Sequence, residues 1–224
     1  VATAGNTVYV ASGTYAETVV INTNNISLIG MDSATTIIDP PGDSSIVNLY
    51  GIYMQNRNNL RISGLHITGC YYGIWFYNVD TSIIDNVKID YCGDSQGAGF
   101  YFTNNSDSNT IRNCNGYKNL HSFYLESSSN NNLNNNTSSN NFGNGFVLTA
   151  SSNYNVITNN ASSNNIAGFT LNTSSNSNVI SNNSSSYNSA SGFELVSSSN
   201  NNLNNNSSLS NSADGYRLES SSNN

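Results

Sequence analysis

A four-residue phrase returns along this chain at nearly constant spacing, and that recurrence limits the fold more than any other feature. Gly145-Phe146-Val147-Leu148 reappears as Gly168-Phe169-Thr170-Leu171, Gly192-Phe193-Glu194-Leu195 and Gly215-Tyr216-Arg217-Leu218. Upstream it reads Gly51-Ile52-Tyr53-Met54, Gly73-Ile74-Trp75-Phe76 and Gly99-Phe100-Tyr101-Phe102, and then Ser122-Phe123-Tyr124-Leu125 with Ser in place of Gly. Successive starts lie 22, 26, 23, 23, 23, 24 and 23 residues apart, with an insertion around Asp94-Ser95-Gln96-Gly97 accounting for the 26. A constant period of this size marks a stack of small repeats.

A second phrase runs in phase with the first. Ile157-Thr158-Asn159-Asn160 matches Leu133-Asn134-Asn135-Asn136, Ile180-Ser181-Asn182-Asn183 and Leu203-Asn204-Asn205-Asn206, and earlier Ile62-Ser63-Gly64-Leu65, Ile84-Asp85-Asn86-Val87 and Ile111-Arg112-Asn113-Cys114. Both phrases alternate apolar and polar residues over three to five positions between Asn, Ser and Gly turns. That is strand periodicity, and no segment sustains a helical one. Two or three short strands per unit cannot enclose a core alone, so each pairs with its equivalent one coil away, about 4.8 Å along the axis. The chain is therefore predicted to be all-β, a right-handed parallel β-helix (solenoid) with coils of about 23 residues. Phe146, Phe169 and Phe193 form one internal row, and Leu148, Leu171 and Leu195 another. Asn136, Asn160, Asn183 and Asn206 occupy the inward position of Leu65, Val87 and Cys114, which predicts a buried amide ladder.

Composition alone would suggest disorder, because charged residues are only 8% and Asn and Ser dominate the C-terminal half. The 14 Tyr and 8 Phe, spaced at the coil period, decide for order. Six Lys plus Arg and a net charge of −7, with no basic run, exclude a nucleic-acid partner. No apolar stretch approaches the roughly 20 residues of a membrane span. The chain opens at Val1 without a leader and stops within a repeat, so a piece of a longer protein is expected. Three zones are read along one continuous solenoid: N-terminal coils over 1–50, aromatic-rich coils over 51–125 and regular Asn/Ser-rich coils over 126–224. Asn-x-Ser/Thr sequons, as at Asn25, Asn104, Asn160 and Asn172, arise readily in such a composition and carry no weight by themselves.

Residues Val8 to Ile21, reading VYVASGTYAETVVI, and the following Ile26-Ser27-Leu28-Ile29-Gly30 resemble the first coils of the pectate-lyase-like superfamily. The nearest resemblance within it is to the NosD-like and carbohydrate-binding/sugar-hydrolase β-helix proteins, and it extends over essentially the whole chain. It implies a secreted or cell-surface protein whose partner is a polysaccharide or cell-surface glycan. It does not fix an activity, since the superfamily holds lyases, hydrolases, esterases and proteins without known catalysis.

Two exterior groups are candidates for function. The outward residues of the first phrase run Tyr53, Trp75, Tyr101, Tyr124, then Val147, Thr170, Glu194 and Arg217, flanked by Gln55, Tyr77, Thr103 and Glu126, with Tyr71 and Tyr72 nearby. Aromatic faces beside hydrogen-bonding groups suit sugar rings, so Tyr53, Trp75, Tyr77, Tyr101 and Tyr124 are the candidate binding residues. A stripe of this kind also suits packing against a loop, a domain or a second subunit. The second group aligns His66, Lys88 and Asn115, with Ser63, Asp85 and Arg112 on a parallel row and Asp90 one outward position beyond Lys88. Asp85, Lys88, Asp90 and Arg112 are the candidate catalytic set, because lyases need a base and a cation and glycosidases need two facing carboxylates. The same residues read equally as cross-strand ion pairs.

No metal ligand set is recognised. Ca²⁺ would be the natural ion for a uronate lyase, but no dense acidic motif marks a site, so no cofactor is assigned. Copper, suggested by the NosD resemblance alone, lacks a ligand cluster. Cys70 and Cys92 share a register on adjacent coils, close enough for a disulfide or for two buried thiols. The first expectation is thus a polysaccharide-binding surface module. Its alternatives are a polysaccharide lyase or glycoside hydrolase, and a structural stalk or sheath subunit that self-associates through its ends or its aromatic face.

Overall fold

A computed structural model describes residues 2–93 and 97–224 as a parallel β-solenoid with three sheets. Among the described residues there are 27 strands, nine per sheet, and no helix. The first face runs from Thr7–Val10 to Asn202–Asn204, the second from Gly13–Tyr15 to Ser207–Leu209, and the third from Val19–Ile21 to Tyr216–Glu219. Every strand pairs in parallel with its equivalent one coil away, as in Phe146↔Phe169, Ile157↔Ile180 and Ser162↔Ser185. Of the insertion read around Asp94-Ser95-Gln96-Gly97, residues 94–96 lie outside the described residues. A further lengthening, not visible in the repeat spacing, is the loop before Tyr50, which lets Val19 pair with Ile52 across a longer coil. No helix among the described residues is long and apolar enough to cross a membrane.

The core is a set of ladders, because equivalent inward residues are stacked at the strand spacing. Phe100, Phe123, Phe146, Phe169, Phe193 and Tyr216 form one column, with centroids 4.6 to 4.9 Å apart and planes within 6 to 9° of parallel. Burying each Phe contributes about 1.5–3 kcal/mol, and an aromatic pair adds about 0.5–1.5 kcal/mol. The Leu125, Leu148, Leu171 and Leu195 column is buried beside it.

The amide ladder forms as the spacing predicts. Asn136 Nδ2 donates to Ile111 O at 2.9 Å and to Asn160 Oδ1 at 3.1 Å, while its Oδ1 accepts from the Cys114 backbone N–H at 2.9 Å. Asn160 and Asn183 repeat the pattern. Two more inward Asn rows flank other corners, Asn109-Asn131-Asn155-Asn178-Asn201 and Asn119-Asn141-Asn165-Asn188-Asn211. These ladders let a solenoid poor in apolar residues keep its corner backbone satisfied away from water. The Asn just before the inward one turns the chain: Asn135, Asn159, Asn182 and Asn205 have φ of 55 to 58°, the left-handed region Asn tolerates better than most residues.

The glycine that opens most third-face strands is required by packing. A Cβ at Gly168 would strike Ser185 Oγ and approach Gly192 O to 2.6 Å; one at Gly73 would lie 2.5 Å from both Gly99 O and Ile89 Cγ2. The side chains of the second-face strands fill the space that the glycine leaves, so the repeated Gly marks a close approach of two sheets.

Candidate functional site

The exterior of the third face carries the aromatic row. Register places Tyr53 beside Trp75, Trp75 beside Tyr101 and Tyr101 beside Tyr124, and then continues through Val147, Thr170, Glu194 and Arg217. Strand alternation sends Tyr53, Trp75, Tyr101 and Tyr124 outward while Met54, Phe76, Phe102 and Leu125 point into the core; Val147 and Thr170, which the sequence placed on the exterior, are buried. Two residues that the four-residue phrase did not capture complete the cluster. Tyr50 and Tyr72 pair one position before the phrase's Gly, and Tyr50 lies 4.9 Å from Tyr53 and 5.2 Å from Trp75 between centroids. Tyr72 stacks on Tyr101 at 4.6 Å and 6°. His121, also outside the phrase, lies 5.3 Å from Tyr124. The signal for Tyr50 and Tyr72 was in the sequence: each precedes the phrase's Gly by one residue in adjacent coils.

The row is not uniform in the ring surface that it presents. Rings stacked in parallel cover each other's faces, so Tyr72 and Tyr101 present edges and hydroxyls. Two rings turn out of the stack, Tyr77 at 79° to Trp75 and Tyr124 at 66° to Tyr101. Beside the first of these corners is an open hollow of about 440 Å³, lined by Trp75, Tyr77 and Tyr101 together with Thr103, Asn104 and Glu126. Trp75 Nε1 donates to Thr103 Oγ1 at 3.0 Å, and the Tyr101 hydroxyl donates to Glu126 Oε2 at 2.6 Å. Both bonds join neighbouring coils and hold the walls in place. Burial, reinforced by Glu126, pushes the Tyr101 phenol well above its ordinary range; burial and the neighbouring Tyr71, Tyr50 and Glu126 push Tyr72 up to about 12. The Tyr72 and Tyr101 hydroxyls therefore stay protonated.

The candidate catalytic residues stand elsewhere and are divided between two faces. Asp85 and Arg112 lie on the first face, in register with Ser63. Lys88 and Asp90 lie on the second face, where Lys88 aligns with His66 and Asn115. Asp85 accepts from Arg112 at 2.9 Å and from Asn113 at 2.9 Å, with Arg61 at 3.8 Å. Burial would raise its pKa, but these partners hold it below the usual range. Asp90 is nearly buried between His66 Nε2 and Lys88 Nζ, both at 2.8 Å. Against its burial, hydrogen bonds from His66, Lys88 and Thr68 hold its carboxyl down to about 2. Each carboxylate is thus closed within its own cross-strand ion-pair cluster.

The three cysteines are internal free thiols. Cys70 and Cys92 face each other from adjacent coils with Sγ atoms 2.7 Å apart, and burial pushes the Cys70 thiol well up. Cys114 sits above the amide ladder, its thiol pushed up to about 12 by burial. Among the described residues no three of His, Cys, Asp and Glu gather in a group that could hold a metal ion.

Compared with known proteins, residues 4–179 match the family described as the right handed beta helix region. No curated protein matches the chain. The A-module of the Azotobacter vinelandii mannuronan C-5 epimerase AlgE4 superposes with a TM-score of 0.84 at 19% identity, covering 97% of this chain and 66% of the module. This chain thus spans slightly under two thirds of that module. An alginate lyase from Paenibacillus sp. covers 96% of this chain and 93% of its own length, with a TM-score of 0.63 and 15% identity. The catalytic domain of a GH87 alpha-1,3-glucanase in complex with tetrasaccharides has a TM-score of 0.62 and 19% identity over 89% of this chain and 34% of that one. At these identities the shared property is the fold.

Proposed function

From a chain that belongs to the right-handed β-helix family, we propose a polysaccharide-binding module, secreted or at the cell surface, that holds its ligand on the aromatic third face. The observation that carries this reading is the hollow beside Trp75, whose lining brings three aromatic residues together with a hydroxyl, an amide and a carboxylate. A sugar presents the complementary pattern, with C–H faces for the rings and hydroxyls for the polar groups. The row from Tyr50 and Tyr53 to Tyr124 extends the contact along the solenoid axis, as a chain of linked sugars requires. The three solved structures named above, of a mannuronan epimerase, an alginate lyase and an alpha-1,3-glucanase, agree with a carbohydrate ligand.

Binding is favoured over turnover by where the charges lie. Asp85 and Asp90 are each occupied by cations, and they stand on the first and second faces, away from the hollow. A glycan array and a depolymerisation screen on the same purified chain, with and without Ca²⁺, test the reading. Retention without product, removed by Trp75→Ala, supports it. Product formation that is lost in Asp85→Asn or Asp90→Asn would replace it with a lyase or hydrolase. A chain that neither binds nor turns over any glycan would leave the solenoid a structural role.

A further inference from the structure

The hollow beside Trp75 is electrically one-sided. Among the described residues that line it, Glu126 is the sole charged side chain. None of the chain's six Lys and Arg residues lines it. Arg61 and Arg112 pair with Asp85, Lys88 with Asp90, and Arg217 with Glu194 and Glu219. Arg57 donates to Asn56 O, and Lys118 lies over Tyr91 and Tyr117. His121, near the end of the row, does not line the hollow, and burial lowers its pKa. Glu126 uses Oε2 for the Tyr101 hydroxyl and keeps Oε1 directed to no protein partner among the described residues.

A carboxylate without a cation, set in one hollow with the Trp75 and Tyr77 rings, is an arrangement that attracts a positive charge. The carboxylate supplies the counter-charge and the rings supply the negative faces of their quadrupoles. A uronate placed here would meet Glu126 with nothing to neutralise either group. We infer that the hollow selects a saccharide carrying a protonated amino group, a hexosamine with its amine free, held between Glu126 and the Trp75 and Tyr77 rings. This assignment rests on the third face being a polysaccharide-binding surface.

Calorimetric titration with three probes separates the two ideas: a glucosamine oligomer with free amines, the same oligomer N-acetylated, and an oligogalacturonate. The assay is run at about pH 5.5, where a carboxylate keeps its charge. The free-amine oligomer is expected to bind about tenfold tighter than its acetylated counterpart, and the oligouronate least of all. Glu126→Gln should bring the free-amine oligomer down to the affinity of the acetylated one. In the unmodified chain, added salt should weaken the free-amine oligomer more than the acetylated one, a measurement that needs no variant. Equal affinity for both oligomers with Trp75-dependent binding would overturn the amine assignment and leave the polysaccharide surface standing. Tightest binding of the oligouronate would overturn the assignment in the same way. Failure of every saccharide to bind would overturn both.

Discussion

Gly116 and Ser122 exchange the sizes that later coils give to the same two positions. In those coils the second-face strand carries the serine and the third face opens with the glycine: the Ser162, Ser185 and Ser208 hydroxyls donate to Gly168, Gly192 and Gly215 carbonyls at 3.0, 2.9 and 3.0 Å. In the coil of Gly116 the serine has moved to position 122, and a Cβ added at Gly116 would strike Ser122 Oγ and lie 2.5 Å from Ser122 Cβ. The site holds one side chain, and this coil places it on the opposite strand. Ser122 Oγ is buried with no hydrogen-bond partner among the described residues.

Gly116→Ser alone should therefore destabilise the chain by about 1–3 kcal/mol through overpacking. Adding Ser122→Gly should recover most of that loss, because the hydroxyl introduced on the second-face strand can then donate to the residue 122 carbonyl as in the other coils. Urea unfolding of the two single variants and the double variant measures the coupling, expected at about 1 kcal/mol or more. Additive costs would show that the two positions do not compete for the same space.

The amide ladder and the turn beside it predict opposite sensitivities for neighbouring asparagines. Asn160 accepts from Asn136 N and Nδ2 and donates to Leu133 O and Asn183 Oδ1, all buried. Asn160→Ala strands these groups and should cost about 2–4 kcal/mol. Asn159 is exposed at φ 58°, so Asn159→Gly should be neutral within about 0.5 kcal/mol. Thermal unfolding of both variants decides the matter; similar losses at the two positions would contradict the buried ladder.

Acid should unfold the chain partly through Asp90. Its folded pKa of about 2 lies below the unfolded value of about 3.9. The carboxylate therefore adds stability that is fully present above about pH 4 and is lost as pH falls towards 2, worth about 1–2 kcal/mol. Asp85 is shifted in the same direction. Asp90→Asn should lower stability at pH 7 and flatten the decline between about pH 4 and 2. A variant with an unchanged acid slope would place the proton uptake elsewhere.

Much of this architecture was legible from spacing because a solenoid repeats its local rules. Each coil must present inward residues that match the coil beneath, so register and ladder could be read by aligning phrases. The Phe column, the Asn136 to Asn206 ladder and the Tyr53 to Tyr124 row all followed from that alignment. Tyr50 was overlooked, and Tyr72 placed only nearby, because both precede the phrase, at the corner where strict alternation breaks. The division of Asp85 and Arg112 from Lys88 and Asp90 was harder to read. The turn at Asn86, with φ 53°, carries the chain from the first face to the second, so residues close in sequence face different directions.

The sequence by itself determined the period, the parallel stacking of coils and the Phe, Leu and Asn136 to Asn206 inward rows, because parallel in-register pairing turns linear spacing directly into stacking; the third strand of each coil and the two further Asn rows came from the structure. Ring orientation and electrostatic partnership were decided only in three dimensions. Whether Tyr72 covers Tyr101 or Tyr77 turns out beside Trp75 depends on side-chain packing across coils, and whether Glu126 lacks a cation depends on where every Arg and Lys stands. Those are properties of neighbours brought together by the fold, and no single repeat contains them.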